Sequence, residues 1–173
     1  RYYISCNGRN KNIPVYSMHT NFDAGKGGMN DALANKLCLK NIRVSEASNM
    51  MRIGELENAM EIKDFARYAK EKFDVNYSLL INEGSKLIKT VAIIGGGGSS
   101  YWKVAKEEGA DIYISGDAPH HNRRAIVTNK FNYLDMPHEI EHIFMPQMKK
   151  LLLDIDPNLD IIEIDHEKLP KVI

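Results

Sequence analysis

Little in this sequence commits it to an unusual environment. It holds two cysteines, Cys6 and Cys38, in neither a CxxC pair nor a Cys/His finger spacing. That excludes a disulfide framework and a zinc finger, and it makes reduced thiols in the cytoplasm the expectation. No apolar run approaches the roughly 18 residues of a membrane span, and no signal-peptide pattern is present. Neither sign of charge is in excess, since Lys plus Arg and Asp plus Glu both total 23. Nothing in the overall charge therefore draws the chain to nucleic acid or to an anionic membrane. Low-complexity stretches and long linkers are also missing. The 173 residues suffice for one core and are too few for two ordinary domains, so 1–173 is read as a single domain. The chain opens on Arg1, not Met, and Tyr2-Tyr3-Ile4-Ser5 already has structured character. A start partway through a longer gene product is the expectation.

What is there is an alternation of short β-rich runs with longer helical ones. Strands are expected at 14–18, 42–46, 77–82, 89–94, 111–115 and 160–165, with a shorter one at 132–135. Helices are expected at 30–39, 61–73, 99–108, 122–130 and 138–153. Within 61–73, Ile62, Phe65, Ala66, Ala69 and Phe73 recur at helical spacing and mark one apolar face. Strands alternating with helices predict a layered α/β domain with a largely parallel sheet. Residues 54–58 read as a bend between two lobes. Segments 16–23 and 112–121 echo each other, each running from an apolar strand into polar residues.

Several constellations can carry chemistry. Val15-Tyr16-Ser17-Met18-His19-Thr20-Asn21-Phe22-Asp23 reads as a strand that ends by presenting an imidazole and a carboxylate four residues apart. Glycines 25, 27 and 28 follow, so the pair is either a metal or acid–base site or a solvated surface loop. Gly95-Gly96-Gly97-Gly98-Ser99-Ser100 sits between an apolar strand and a helix. It matches neither GxGxxG nor a P-loop, and reads as an anion contact or as a turn capped by Ser99. Ser115-Gly116-Asp117-Ala118-Pro119-His120-His121 ends the next strand, and its histidines are ligands or pocket lining. His138-Glu139-Ile140-Glu141-His142 satisfies HExxH, whose histidines share a face on an α-helix. Pro137 places that motif in a first helical turn, and no third-ligand motif follows, which weighs against a zinc protease. Asp154, Asp156 and Asp160 lack EF-hand spacing and read as a solvated turn.

Taken together, these blocks resemble the Nif-three-like family, the GTP cyclohydrolase 1 type 2 homologues. Residues 15–23 look like the family's strand ending in His-Thr-Asn-Leu-Asp, and Gly27-Gly28-Met29-Asn30-Asp31 like its Gly-Gly-Val-Asn-Asp. Arg52-Ile53-Gly54-Glu55-Leu56, the turn at 95–100, the run 109–117, and Asp135-Met136-Pro137-His138 follow in family order. The resemblance implies an α/β fold of two similar layered lobes with mostly parallel mixed sheets, here N-terminally incomplete. It also implies a toroidal homohexamer with two divalent metal ions per subunit, Zn, Fe or Mn not being distinguished. Asp23 and His138 fall on ligand positions, and His142 stands where the family has a ligating Glu, with Glu141 beside it. His19 and His121 fall on pocket histidines and are the candidate proton shuttles. The family's adjacent His-His ligand pair precedes the equivalent of Arg1. The implied activity is a metal-dependent hydrolase acting on a purine nucleotide. The alternative is a non-catalytic metal-binding assembly or adaptor protein.

Overall fold

Val91 and Ile93 pack into one apolar layer while Ala92 and Ile94 pack into another, and Ile112, Tyr113, Ile114, Tyr133 and Leu134 alternate in the same way. Strands buried on both faces need a helical layer on each side. The computed structural model, which describes residues 16–165 and 169–171, supplies both layers. Its strands are β1 (Lys40–Val44), β2 (Arg52–Glu61), β3 (Leu79–Asn82), β4 (Leu87–Ile93), β5 (Ile112–Gly116) and β6 (Asn132–Met136). They form one six-stranded sheet in the order β1-β2-β4-β5-β6-β3. Helices α2 (Met29–Lys36) and α3 (Ile62–Phe73) cover one face. Helices α4 (Trp102–Glu107) and α5 (His120–Thr128) cover the other. A short α1 (Thr20–Ala24) and a C-terminal α6 (Phe144–Ile155) lie at one end of the first layer.

The layered α/β expectation holds, with its parallel pairing confined to the centre. β4–β5 and β5–β6 are parallel, while β1–β2, β2–β4 and β3–β6 are antiparallel. The reason is connectivity, because only α4 and α5 make strand–helix–strand crossovers between neighbouring strands. Residues 54–58 are no bend. They lie inside β2, the longest strand, whose register against β4 shifts between Glu55 and Met60. Gly54 is required there because β1 crosses so closely: a Cβ would meet Leu39 Cβ at 3.0 Å and the Lys40 carbonyl at 3.1 Å. Residues 160–165 form no strand, and 16–18 have no regular structure. Residues 14 and 15, like Cys6 and the segment 2–5, lie outside the described residues.

Parallel strands end on one edge, and the turns that leave them there gather side chains from distant parts of the chain. Here those turns are Ile94–Gly98 after β4, Asp117–Pro119 after β5 and Pro137 after β6.

Candidate functional site

His138 follows β6, and the turn it opens is a 3-10 helix over His138–Ile143 rather than the α-helix expected from 138 onward. With three residues per turn, side chains three apart eclipse. Glu141, not His142, therefore stacks on His138, and its Oε2 lies 3.3 Å from His138 Nε2. His142 is left beside them, lining a cavity of about 310 Å³ with Glu139 and Phe144. The same winding removes the HExxH geometry, since residues four apart no longer share a face.

On the other side of the ring, His138 Nδ1 lies 2.6 Å from Asp117 Oδ2. A carboxylate only accepts, so Nδ1 carries the proton. Asp117 reaches this position from a left-handed backbone conformation, φ 53°, directly after β5. Its hydrogen bond, assisted by the charge of Glu141 and opposed by burial, holds the His138 imidazole above its ordinary pKa.

Asp23 arrives from α1. The expected strand end is a helical turn, with Phe22 and Asp23 N–H donating to the His19 carbonyl at 2.7 and 3.1 Å. His19 is thus the N-cap of α1, and both it and Asp23 line one cavity. Burial pushes the Asp23 carboxyl up, against the pull of His19 and His138. Burial also raises Glu141, the pull of His138 opposing it and the charge of Asp23 adding to it. Asp23, His19, His138 and Glu141 form one electrostatic cluster.

Two buried polar residues hold α1 against the sheet. Asn30, fully buried, donates from Nδ2 to the Asp23 carbonyl at 3.0 Å, and its Oδ1 accepts the Gly95 N–H at 2.7 Å. Arg52, 1% exposed, pairs through Nε with Asp31 Oδ1 and donates to the carbonyls of Asn49 at 2.8 Å and Ala24 at 3.1 Å. Asp31 Oδ2 in turn accepts the Gly27 N–H at 2.5 Å. Neither role was apparent from sequence, although both residues lie in the blocks that carry the family resemblance.

The glycine run after β4 proves to be the floor of the cluster. Gly96 has φ 59°, and a Cβ there would meet Glu141 Oε1 at 2.5 Å and the His138 Cε1 and Nε2 atoms at 3.1 Å. Ser99 makes no capping bond. It is buried and accepts from Asn122 Nδ2 at 3.0 Å, and the α4 that follows is only six residues long.

Of the residues expected at the site, the structure brings together His19, Asp23 and His138, sets His142 alongside, and does not bring in His121. His121 lies exposed in the first turn of α5. The donors have the chemistry of a cation site: His138 and the half-buried Glu141 lie over a residue without a side chain, and the half-buried Asp23 is within electrostatic reach of both. Among the described residues, no three His, Cys, Asp or Glu side chains are gathered as a ready-made coordination sphere. No helix of the described chain is long and apolar enough to cross a membrane.

Comparison with known proteins places these features in context. The profile of the family described as Duf34/NIF3 (NGG1p interacting factor 3) matches residues 7–170. A protein of Lactococcus lactis named GTP cyclohydrolase 1 type 2 homolog is 32% identical over 162 residues, covering 91% of this chain and 63% of that protein. Its namesake in Bacillus subtilis is 37% identical over 92 residues, covering 53% of this chain and 25% of that protein. The chain therefore spans less than two thirds of the length of these relatives. The crystal structure of Staphylococcus aureus protein SA1388 superposes with a TM-score of 0.81 at 24% identity, over 90% of this chain and 68% of that one.

Proposed function

Because the chain belongs to the Duf34/NIF3 family, we propose that it carries the cation-binding wall of a metal-dependent hydrolase similar to GTP cyclohydrolase 1 type 2, acting on a purine nucleotide. The observation that supports this reading is the pairing of His138 with Glu141 over Gly96, with the half-buried Asp23 in electrostatic reach of both. Burial makes both carboxylates costly to ionise, and a divalent cation would relieve that cost. Carboxylate oxygen and imidazole nitrogen suit Zn, Fe or Mn.

Asp23, His138 and Glu141 would hold the cation, with Glu141 in the place first assigned to His142. When bound, the cation supplies Lewis acidity toward water and substrate. The chain's own groups do the rest. Asp117 keeps the His138 ring oriented through Nδ1. His19, on the same turn as Asp23, takes the proton from water as it attacks an electrophilic ring carbon such as purine C8, and returns it to the departing nitrogen. His121 is assigned no proton transfer, since it is exposed on α5 and has no described contact with the cluster.

The test is elemental analysis of metal per chain, followed by an assay of GTP turnover. The expected result is stoichiometric divalent metal, lost in Asp23→Ala, His138→Ala and Glu141→Ala but retained in His142→Ala, with turnover that follows the metal. Metal lost in His142→Ala and kept in Glu141→Ala would overturn the ligand assignment. Metal retained with no product from GTP would make the chain a metal-binding assembly module instead.

A further inference from the structure

The cluster opens onto a cavity whose walls the site itself does not use. A half-open cavity of about 640 Å³ is lined largely by Met18, Phe22, Met29, Phe144, Met148 and Leu152, with His19, Asp23 and Glu141 among its polar lining. That volume lies within the roughly 300–1,000 Å³ of small-molecule sites, and the mix of apolar walls with a few convergent polar groups is theirs too. No Lys or Arg is among its described lining residues.

Resting on the site reading above, we propose that this cavity receives the flat, uncharged ring body of the substrate and not its phosphates. Three thioethers line the cavity, and polarizable sulfur packs well against aromatic rings while adapting to their outline. Phe22 and Phe144 add aromatic surface. A polyphosphate would have to leave water for walls that are mostly apolar and carry no described cationic side chain, an unfavourable transfer. The ligand class is thus a heteroaromatic ring system whose body packs on the apolar walls with its reacting carbon toward the cluster, and any phosphate tail projects out of the cavity.

The experiment uses the full chain labelled with 13C at its methionine methyls, with and without zinc, titrated with guanosine, GTP and inorganic tripolyphosphate. Guanosine is expected to shift the Met18, Met29 and Met148 methyls saturably and leave Met50, Met51 and Met60 in place. GTP is expected to bind within about threefold of guanosine, and tripolyphosphate to leave the three reporters unmoved. Met148→Trp, which fills the cavity, is expected to weaken guanosine at least tenfold with zinc per chain unchanged. Met18→Trp, at an exposed position, makes the same test where folding is not at stake. Reporters that move with GTP but not guanosine, or with neither, would overturn the proposal, as would wild-type binding in both Trp variants. Failure to take up zinc would overturn the site reading instead, and the methyl shifts would still decide the cavity.

Discussion

Asp117 touches nothing but His138 among its side-chain hydrogen bonds, yet it decides which ring nitrogen faces the cluster. Such outer partners typically contribute tenfold to a hundredfold in metal affinity. Asp117→Ala is expected to lower zinc affinity about tenfold, and Asp117→Asn, which keeps an acceptor, to recover part of the loss. Nitrogen-15 spectra of His138 in the metal-free chain should show the Nδ1–H tautomer giving way in the Ala variant. An unchanged tautomer would remove the positioning role. Asp117 escaped the sequence reading because its contact depends on a left-handed backbone angle and on a partner 21 residues away. Asp23 and His138 were legible because their blocks resemble a family. The spacing around His138 could not choose between Glu141 and His142, since that choice is made by the winding of the turn.

That winding belongs to the element scale, as does the glycine floor beneath it. Gly96→Ala places a methyl against Glu141 Oε1 and an alanine at φ 59°. The left-handed angle alone costs about 1–2 kcal/mol. Reduced stability of that order in urea titrations, with metal uptake lost, is the expected outcome. Gly97→Ala is the control, because nothing lies within 4 Å of its added Cβ; equal damage from both variants would sink the argument. Helix α3 was fully readable, its apolar stripe being long and regular. β2 was not, because Gly54, Glu55, Glu57 and Asn58 interrupt any alternation and its buried first residue is a charged Arg52 satisfied by the distant Asp31 carboxylate and Ala24 carbonyl. Residues 160–165 carry a strand-like pattern without forming a strand, for pattern alone provides no neighbour to pair with.

A chain with no net charge concentrates Asp23, Asp117, Glu139 and Glu141 at one edge of its sheet. Folding raises the affinity of Asp23 and Glu141 for protons, so in the pH range between their unfolded and folded pKa values the native state binds more protons. Stability contributed by these groups is then intact below the unfolded carboxylate range and falls as pH rises through the folded values. Thermal melts of Asp23→Asn/Glu141→Gln against the parent should show the variant more stable at pH 7.5 by roughly 2 °C. The gap should close below about pH 3, where the carboxylates are protonated in both states, and a gap that widens on acidification would contradict the assignment. The sheet order has a different outcome for how the molecule is made. β3 pairs with β6 at the sheet's far edge, although some fifty residues separate them along the chain (Asn82 opposite Asn132). During vectorial synthesis at about 5–20 residues per second, β3 leaves the ribosome several seconds before its partner exists. For that interval the nascent chain carries an unpaired strand edge, which makes this stretch the natural client of chaperones that bind during translation.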